Sequence, residues 1–106
     1  MQLDKTFEAL ASGPRRQILA YLSELELTTS ELAQRFGMSA PTISRHLSLL
    51  ETAGLVSSQR AGQRVLYRLN RDNLVNTLTG FAMEICPIGG PIKRESRRIA
   101  KQKTVR

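Results

Sequence analysis

The chain has 106 residues, a single cysteine and a net charge of +7. That length supports one domain, which buries roughly 65% of its unfolded surface on folding. The lone Cys86 excludes an internal disulfide, no apolar run approaches the ~20 residues that span a bilayer, and the basic excess points to an anionic partner.

The charge is unevenly spread. Residues 87–106 hold seven of the 16 basic residues and only one of the nine acids, so residues 1–86 are nearly neutral. The opening MQLDKTFEAL carries acids and no apolar signal core, so a cytoplasmic protein that stays off the membrane is expected. Residues 3–11 read as a short amphipathic helix with Leu3, Phe7, Leu10 and Ala11 on one side. Ser12-Gly13-Pro14 breaks it. Ser12 or Gly13 caps a second helix, RRQILAYLSEL, with Pro14 in its first turn and Ile18, Leu19 and Leu22 facing in. Arg15 and Arg16 stand near the start of that helix, where the macrodipole disfavours cations. Either they are solvated, or one has a partner elsewhere, an acid or a phosphate.

The stretch LTTSELAQRFGMSAPTISRHLSLLETAGL reads as two helices joined by a tight turn. Thr28 or Thr29 is a good first N-cap, and Glu31 sits where a capping box led by Thr28 places an acid. Leu32, Ala33 and Phe36 share a face, and Gly37 supplies a left-handed stop. Ser39 caps the second helix, Pro41 sits in its first turn, and Ile43, Leu47 and Leu50 point inward together. At about 100° per residue, Arg45 lies nearly opposite that stripe, with Thr42 and Ser44 on its shoulders. Arginine grips a guanine edge with two bonds, and short hydroxyls allow close approach to the major groove. A DNA-binding helix-turn-helix is therefore expected, in preference to a helical hairpin with a solvated face. His46 lies on the flank of the same helix, either touching DNA or serving the fold.

Ala53-Gly54 ends this unit, and LVSSQR-AGQ-RVLYRL follows as a β-hairpin turning at Gly62. A hairpin directly after a recognition helix is the winged-helix order. Arg60 and Arg64 flank the turn, where a wing reaches phosphates or an adjacent minor groove. Tyr67 reads as core with its hydroxyl satisfied locally. Asn70 caps a last helix, RDNLVNTLTGFAMEIC, whose apolar stripe runs through Leu74, Val75, Leu78, Phe81, Ala82 and Ile85. One small domain rarely needs amphipathic helices to spare at both ends. Leu3, Phe7 and Leu10 are therefore expected to join Leu74, Leu78, Phe81 and Ile85 in a twofold homodimer. Cys86 reads as a small buried residue at the helix end, or as a thiol facing Cys86 of a second copy. Pro87 ends the helix and Gly89-Gly90-Pro91 makes a flexible break. Residues 1–86 are thus the folded domain, mainly α with a β-hairpin wing: four helices, the hairpin and a fifth helix. Residues 87–106 form a basic tail, disordered or helical on an anion.

The runs ALASGPRRQIL, TTSELAQRFGMSAPTISRHLSLLETAGLV and QRAGQRVLYRL resemble the ArsR/SmtB winged-helix repressors over roughly residues 3–85. The most specific parts are S-x-x-T-I-S-R-H-L and R-x-G-Q-R-x-x-Y-R-L. The resemblance implies a dimeric bacterial repressor of transcription that binds double-stranded DNA at a short inverted repeat. It implies base contacts at Ala40, Pro41, Thr42, Ser44 and Arg45. Ala40 and Pro41 depart from the polar residues common there, so Thr42, Ser44 and Arg45 carry the expectation. The expected DNA-contact set is therefore Ser39, Thr42, Ser44, Arg45, His46, Arg60 and Arg64. The family's usual metal sites use a cysteine pair on the helix before the recognition helix, or histidines and acids on the last helix. Here the first place reads TTSELA, and the last helix holds Asp72 and Glu84 but no histidine. One Cys and one His per chain do not build such a site. No metal and no other cofactor are expected, and no small-molecule inducer is nominated. A thiol- or ligand-responsive repressor using Cys86 is the nearest variant, and a winged helix that docks protein instead of DNA is the rival. No phosphate-binding glycine loop and no nucleophile–histidine pair is present, so an enzyme is not expected.

Overall fold

The computed structural model describes residues 2–86 and 91–104. Its elements are α1 (Gln2–Leu10), α2 (Gly13–Tyr21), β1 (Leu27–Thr28), α3 (Thr29–Phe36), α4 (Ala40–Thr52), β2 (Val56–Ala61), β3 (Arg64–Leu69), α5 (Arg71–Ile85) and α6 (Pro91–Thr104). The core is almost wholly aliphatic. Ile18, Leu22, Leu32, Ile43, Leu47, Leu50, Leu55 and Val56 are buried together, while Phe36, Tyr67 and Leu74 pack against them from the edge. Among the described residues, no helix is long and apolar enough to cross a membrane.

Local chemistry places the breaks. The side chain of Ser12 accepts the Arg15 N–H at 3.3 Å and so caps α2. Thr28, not Thr29, caps α3, and its capping box is complete. Glu31 N–H donates to Thr28 Oγ1 at 3.2 Å, and Thr28 N–H donates to Glu31 Oε1 at 2.9 Å. Gly37 then ends α3 at φ 62°. In the hairpin Gly62 turns at φ 67°, with Ala61 opposite Arg64 and Arg60 opposite Val65.

Several expectations change. The sheet has three strands in the order β1-β3-β2, because Leu27 and Thr28 pair with Tyr67 and Leu66. Two residues leave no periodic trace, so this strand had no signal of its own. α2 stops at Tyr21 instead of continuing through Leu25, which stays exposed and has no apolar seat to hold a further turn. α1 stops at Leu10 instead of reaching Ala11, and it buries Thr6 and Ala9. Arg15 and Arg16 have partners, but these are neither acids nor phosphates. Arg15 Nε and Nη2 donate to the carbonyls of Ala9 (2.7 Å) and Glu8 (3.0 Å), and Arg16 Nη1 to that of Leu10 (2.6 Å). They serve the electronegative C-terminus of α1, where cations are favourable. Asn70 sits at the N-cap of α5 but makes no side-chain cap bond. Its amide instead joins Ser57 Oγ to the carbonyl of Gly54. Pro91 belongs to α6 and not to a break, and much of the tail is helical. Pro87, Gly89 and Gly90 lie outside the described residues.

Candidate nucleic-acid interface

α4 is divided lengthwise by its sequence. Ile43, Leu47 and Leu50 are fully buried, while Thr42, Ser44 and Arg45 are exposed on the other side. Arg45 makes no hydrogen bond or ion pair with another described residue. Its guanidinium is thus presented to solvent with its planar fork unused. Ser39 Oγ accepts the Thr42 N–H at 3.3 Å, and the two hydroxyls meet at 2.9 Å. Both remain exposed at the start of the helix, where N–H groups also favour an anion. Ser48 is exposed one turn beyond Arg45, within about 60° of it. Ser48 is not among the expected contacts, although its three-residue step from Arg45 places it on the same face.

His46 is half-buried, and its Nδ1 is buried with no partner among the described residues. Its pKa is held below the ordinary histidine value, first by burial and then by the Arg15 and Arg45 charges. The ring is neutral at neutral pH, so it presents no charge to a phosphate there.

The wing stands beside α4. Arg60 is exposed near the tip, its Nε 3.4 Å from the Gly62 carbonyl. Arg64 begins the returning strand, and its Nη2 lies 3.5 Å from Glu31 Oε1, with both side chains exposed. Glu31 is held ionised, its pKa lowered by the Thr28 backbone N–H and then by the Thr28 hydroxyl, with smaller effects from Arg64 and Arg35. A solvent-exposed pair of this kind holds weakly, so Arg64 is free to exchange the carboxylate for a phosphate. Ser58 Oγ donates to Glu51 Oε2 at 3.0 Å and ties β2 to α4. The structure thus brings Thr42, Ser44 and Arg45 onto one exposed side of α4, with Ser39 at its cap and Arg60 and Arg64 on the neighbouring wing.

The end of α4 is clasped by three amides. Gln2 Nε2 donates to the carbonyl of Ala53 at 2.6 Å, and Asn70 and Asn73 donate to that of Gly54 at 3.1 and 2.6 Å. The sequence marked Asn70 only as a cap of α5 and gave Gln2 and Asn73 no role, because the partners of the three lie 16 to 51 residues away.

The candidate pairing face lies on α1 and α5. No residue of α5 is buried. Phe7 and Phe81 meet edge to face at 5.5 Å and remain 43% and 41% exposed, and Ile85 is 60% exposed. Leu3, Leu10, Leu74 and Leu78 are half-buried. Cys86 is half-buried just past α5. Among the described residues, no three His, Cys, Asp or Glu side chains gather in a group suited to a metal ion.

Residues 12–58 match the family described as bacterial regulatory protein, arsR family. The transcriptional repressor SdpR of Bacillus subtilis is 34% identical over 76 residues, covering 72% of this chain and 84% of that protein. The HTH-type transcriptional regulator Rv2034 of Mycobacterium tuberculosis is 37% identical over 93 residues, covering 77% of this chain and 87% of that protein. Among solved structures, the ArsR-like transcriptional regulator from Rhodococcus sp. RHA1 has a TM-score of 0.75 at 30% identity, over 98% of this chain and 92% of its own. The homodimeric winged helix-turn-helix DNA-binding domain Mb0332 from Mycobacterium bovis has a TM-score of 0.66 at 30% identity, over 81% of this chain and 85% of its own. With a recognition-type helix open to solvent, a hairpin wing directly after it and relatives of nearly the same length, the chain belongs to the arsR family of bacterial regulatory proteins and has the family's winged helix-turn-helix fold.

Proposed function

We propose that this chain is a homodimeric repressor of transcription that works in the cytoplasm on an inverted-repeat site in double-stranded DNA. One observation carries the reading. Arg45, Thr42 and Ser44 stand exposed on a helix whose other side is completely buried, so that helix offers a rigid reading face with one bidentate donor. In this reading Arg45 takes the O6 and N7 atoms of a guanine. Thr42, Ser44 and Ser39 take base edges or the nearest phosphates, and neutral His46 packs the helix flank. Arg60 and Arg64 rest the wing on the backbone, where contacts position the protein without reading sequence. Two copies pair through Leu3, Phe7, Leu10, Leu74, Leu78, Phe81 and Ile85. They offer two α4 helices to major grooves about one helical turn apart, or a multiple of it. Residues 1–86 do this work, with residues 87–106 appended. The role is regulatory and not enzymatic.

The experiment is selection of bound duplexes from random DNA, followed by titration of wild type and Arg45→Ala on the selected site and on random DNA. Arg45→Ala is expected to lose about 10- to 100-fold of the preference for the selected site, the discrimination one bidentate pair supplies. An unchanged preference removes Arg45 from the reading role. Failure to enrich any sequence sinks the whole proposal.

A further inference from the structure

Among the described residues, α6 adds no side chain to the aliphatic core. It packs on α5, and the molecule measures 68 × 22 × 22 Å. Its radius of gyration is 18.7 Å, against about 13 Å for a compact chain of this length. The net charge of the protein is concentrated here. Arg94, Arg97, Arg98, Lys101 and Lys103 are all exposed, whereas residues 1–86 are nearly neutral.

The arrangement of those bases is ordered. At about 100° per residue, Arg94, Arg97, Arg98 and Lys101 fall within about 100° of one another, a single face. Ile92 and Ile99 lie on the opposite side. Arg94 lies three and four residues before Arg97 and Arg98, and Lys101 lies three and four after Arg98 and Arg97, so these steps are about 4.5 to 6 Å along the axis. Duplex DNA presents one phosphate charge per about 1.7 Å of its axis, so a face of this length meets several phosphates at once. A lipid surface fits less well. Interfacial helices bury a broad face of Trp, Phe and Leu, and α6 has none of these.

We propose that α6 is a second, sequence-independent DNA contact. Its Arg94–Arg97–Arg98–Lys101 face holds backbone phosphates outside the site read by α4. The inference rests on the DNA-binding reading above and adds the source of its long-range attraction. A nearly neutral body reads the bases, and a separate basic helix supplies most of the attraction to the polyanion.

The test uses the full chain carrying Arg94→Gln, Arg97→Gln, Arg98→Gln and Lys101→Gln together. Glutamine matches lysine and arginine in helix propensity, and circular dichroism verifies that helicity is kept. A second variant with Arg94→Lys, Arg97→Lys and Arg98→Lys keeps the charge. Each protein is titrated with random-sequence duplex, with the selected site and with phosphatidylserine vesicles over a potassium chloride series. The glutamine variant is expected to lose about 2–4 units of log–log salt slope per subunit, at about 0.9 per phosphate. Its affinity is expected to fall by the same factor, about 100-fold at low salt, on both DNAs, while the lysine variant keeps the wild-type slope. An unchanged slope in the glutamine variant overturns the inference. So does a change confined to binding of phosphatidylserine vesicles, which would make α6 a lipid contact. If wild type fails to discriminate the selected site while the slope difference persists, the α4 reading fails and α6 stands, so the two failures are distinct.

Discussion

Burial takes the imidazole of His46 out of water, and the Arg15 and Arg45 guanidiniums then oppose a second positive charge beside them. The folded chain therefore binds that proton less readily than the unfolded chain, whose histidine titrates at about pH 6.5. Linkage fixes the sign. The contribution to stability is complete above the unfolded value and is lost as pH falls through the lower, folded value. Urea midpoints of wild type, taken from about pH 7.5 down to about pH 5.5, are expected to fall more steeply than those of His46→Gln. Parallel declines would show that the ring is indifferent to its surroundings. Arg15 has two tasks here. It holds the last turn of α1 through the carbonyls of Glu8 and Ala9, and its charge adds to the burial that disfavours a proton on His46.

α4 is held at its C-terminal end by the amides of Gln2, Asn70 and Asn73 as well as along its buried stripe. Gly54 takes φ 78°, and a Cβ added there would lie 2.8 Å from Asn73 Nδ2. Gly54→Ala therefore meets both a left-handed backbone and a displaced amide. It is expected to cost about 1–3 kcal/mol, read as a lower urea midpoint at constant m. A change below about 0.5 kcal/mol, the level of an ordinary surface substitution, would show that the clasp is slack. The elements themselves were largely legible in the sequence because their signals are local. The Ser12, Thr28 and Ser39 caps act within three residues, as does the Glu31 capping bond, and the α4 stripe repeats within one helix. β1, the amide clasp and the Arg15 bonds were not legible. A two-residue strand has no period, and Gln2 and Asn73 meet their partners across 51 and 19 residues. The buried positions of α1, Thr6 and Ala9, are small and left no apolar signal of their own.

At the scale of the molecule, the aliphatic core is complete without α5, most of whose apolar side chains remain half-covered or open. Burying a half-exposed phenylalanine against a second copy adds transfer free energy that a monomer forgoes. Phe81→Glu puts a charge beside Phe7 at the centre of the proposed pairing face. Sedimentation velocity is expected to show monomers where wild type sediments as a dimer, with the helical spectrum retained. Affinity for the selected site should fall about 100-fold, because two half-sites no longer bind as one. A variant that still sediments as a dimer would place the pairing surface elsewhere. The amide clasp has a further consequence for such a pair. Gln2 of α1 and Asn73 of α5 fasten the last turn of α4 to the two helices that would meet the partner. The reading helices then have no swivel of their own, and the pair works as a fixed caliper. The number of base pairs between the two halves of its target is set by the angle at which the copies join.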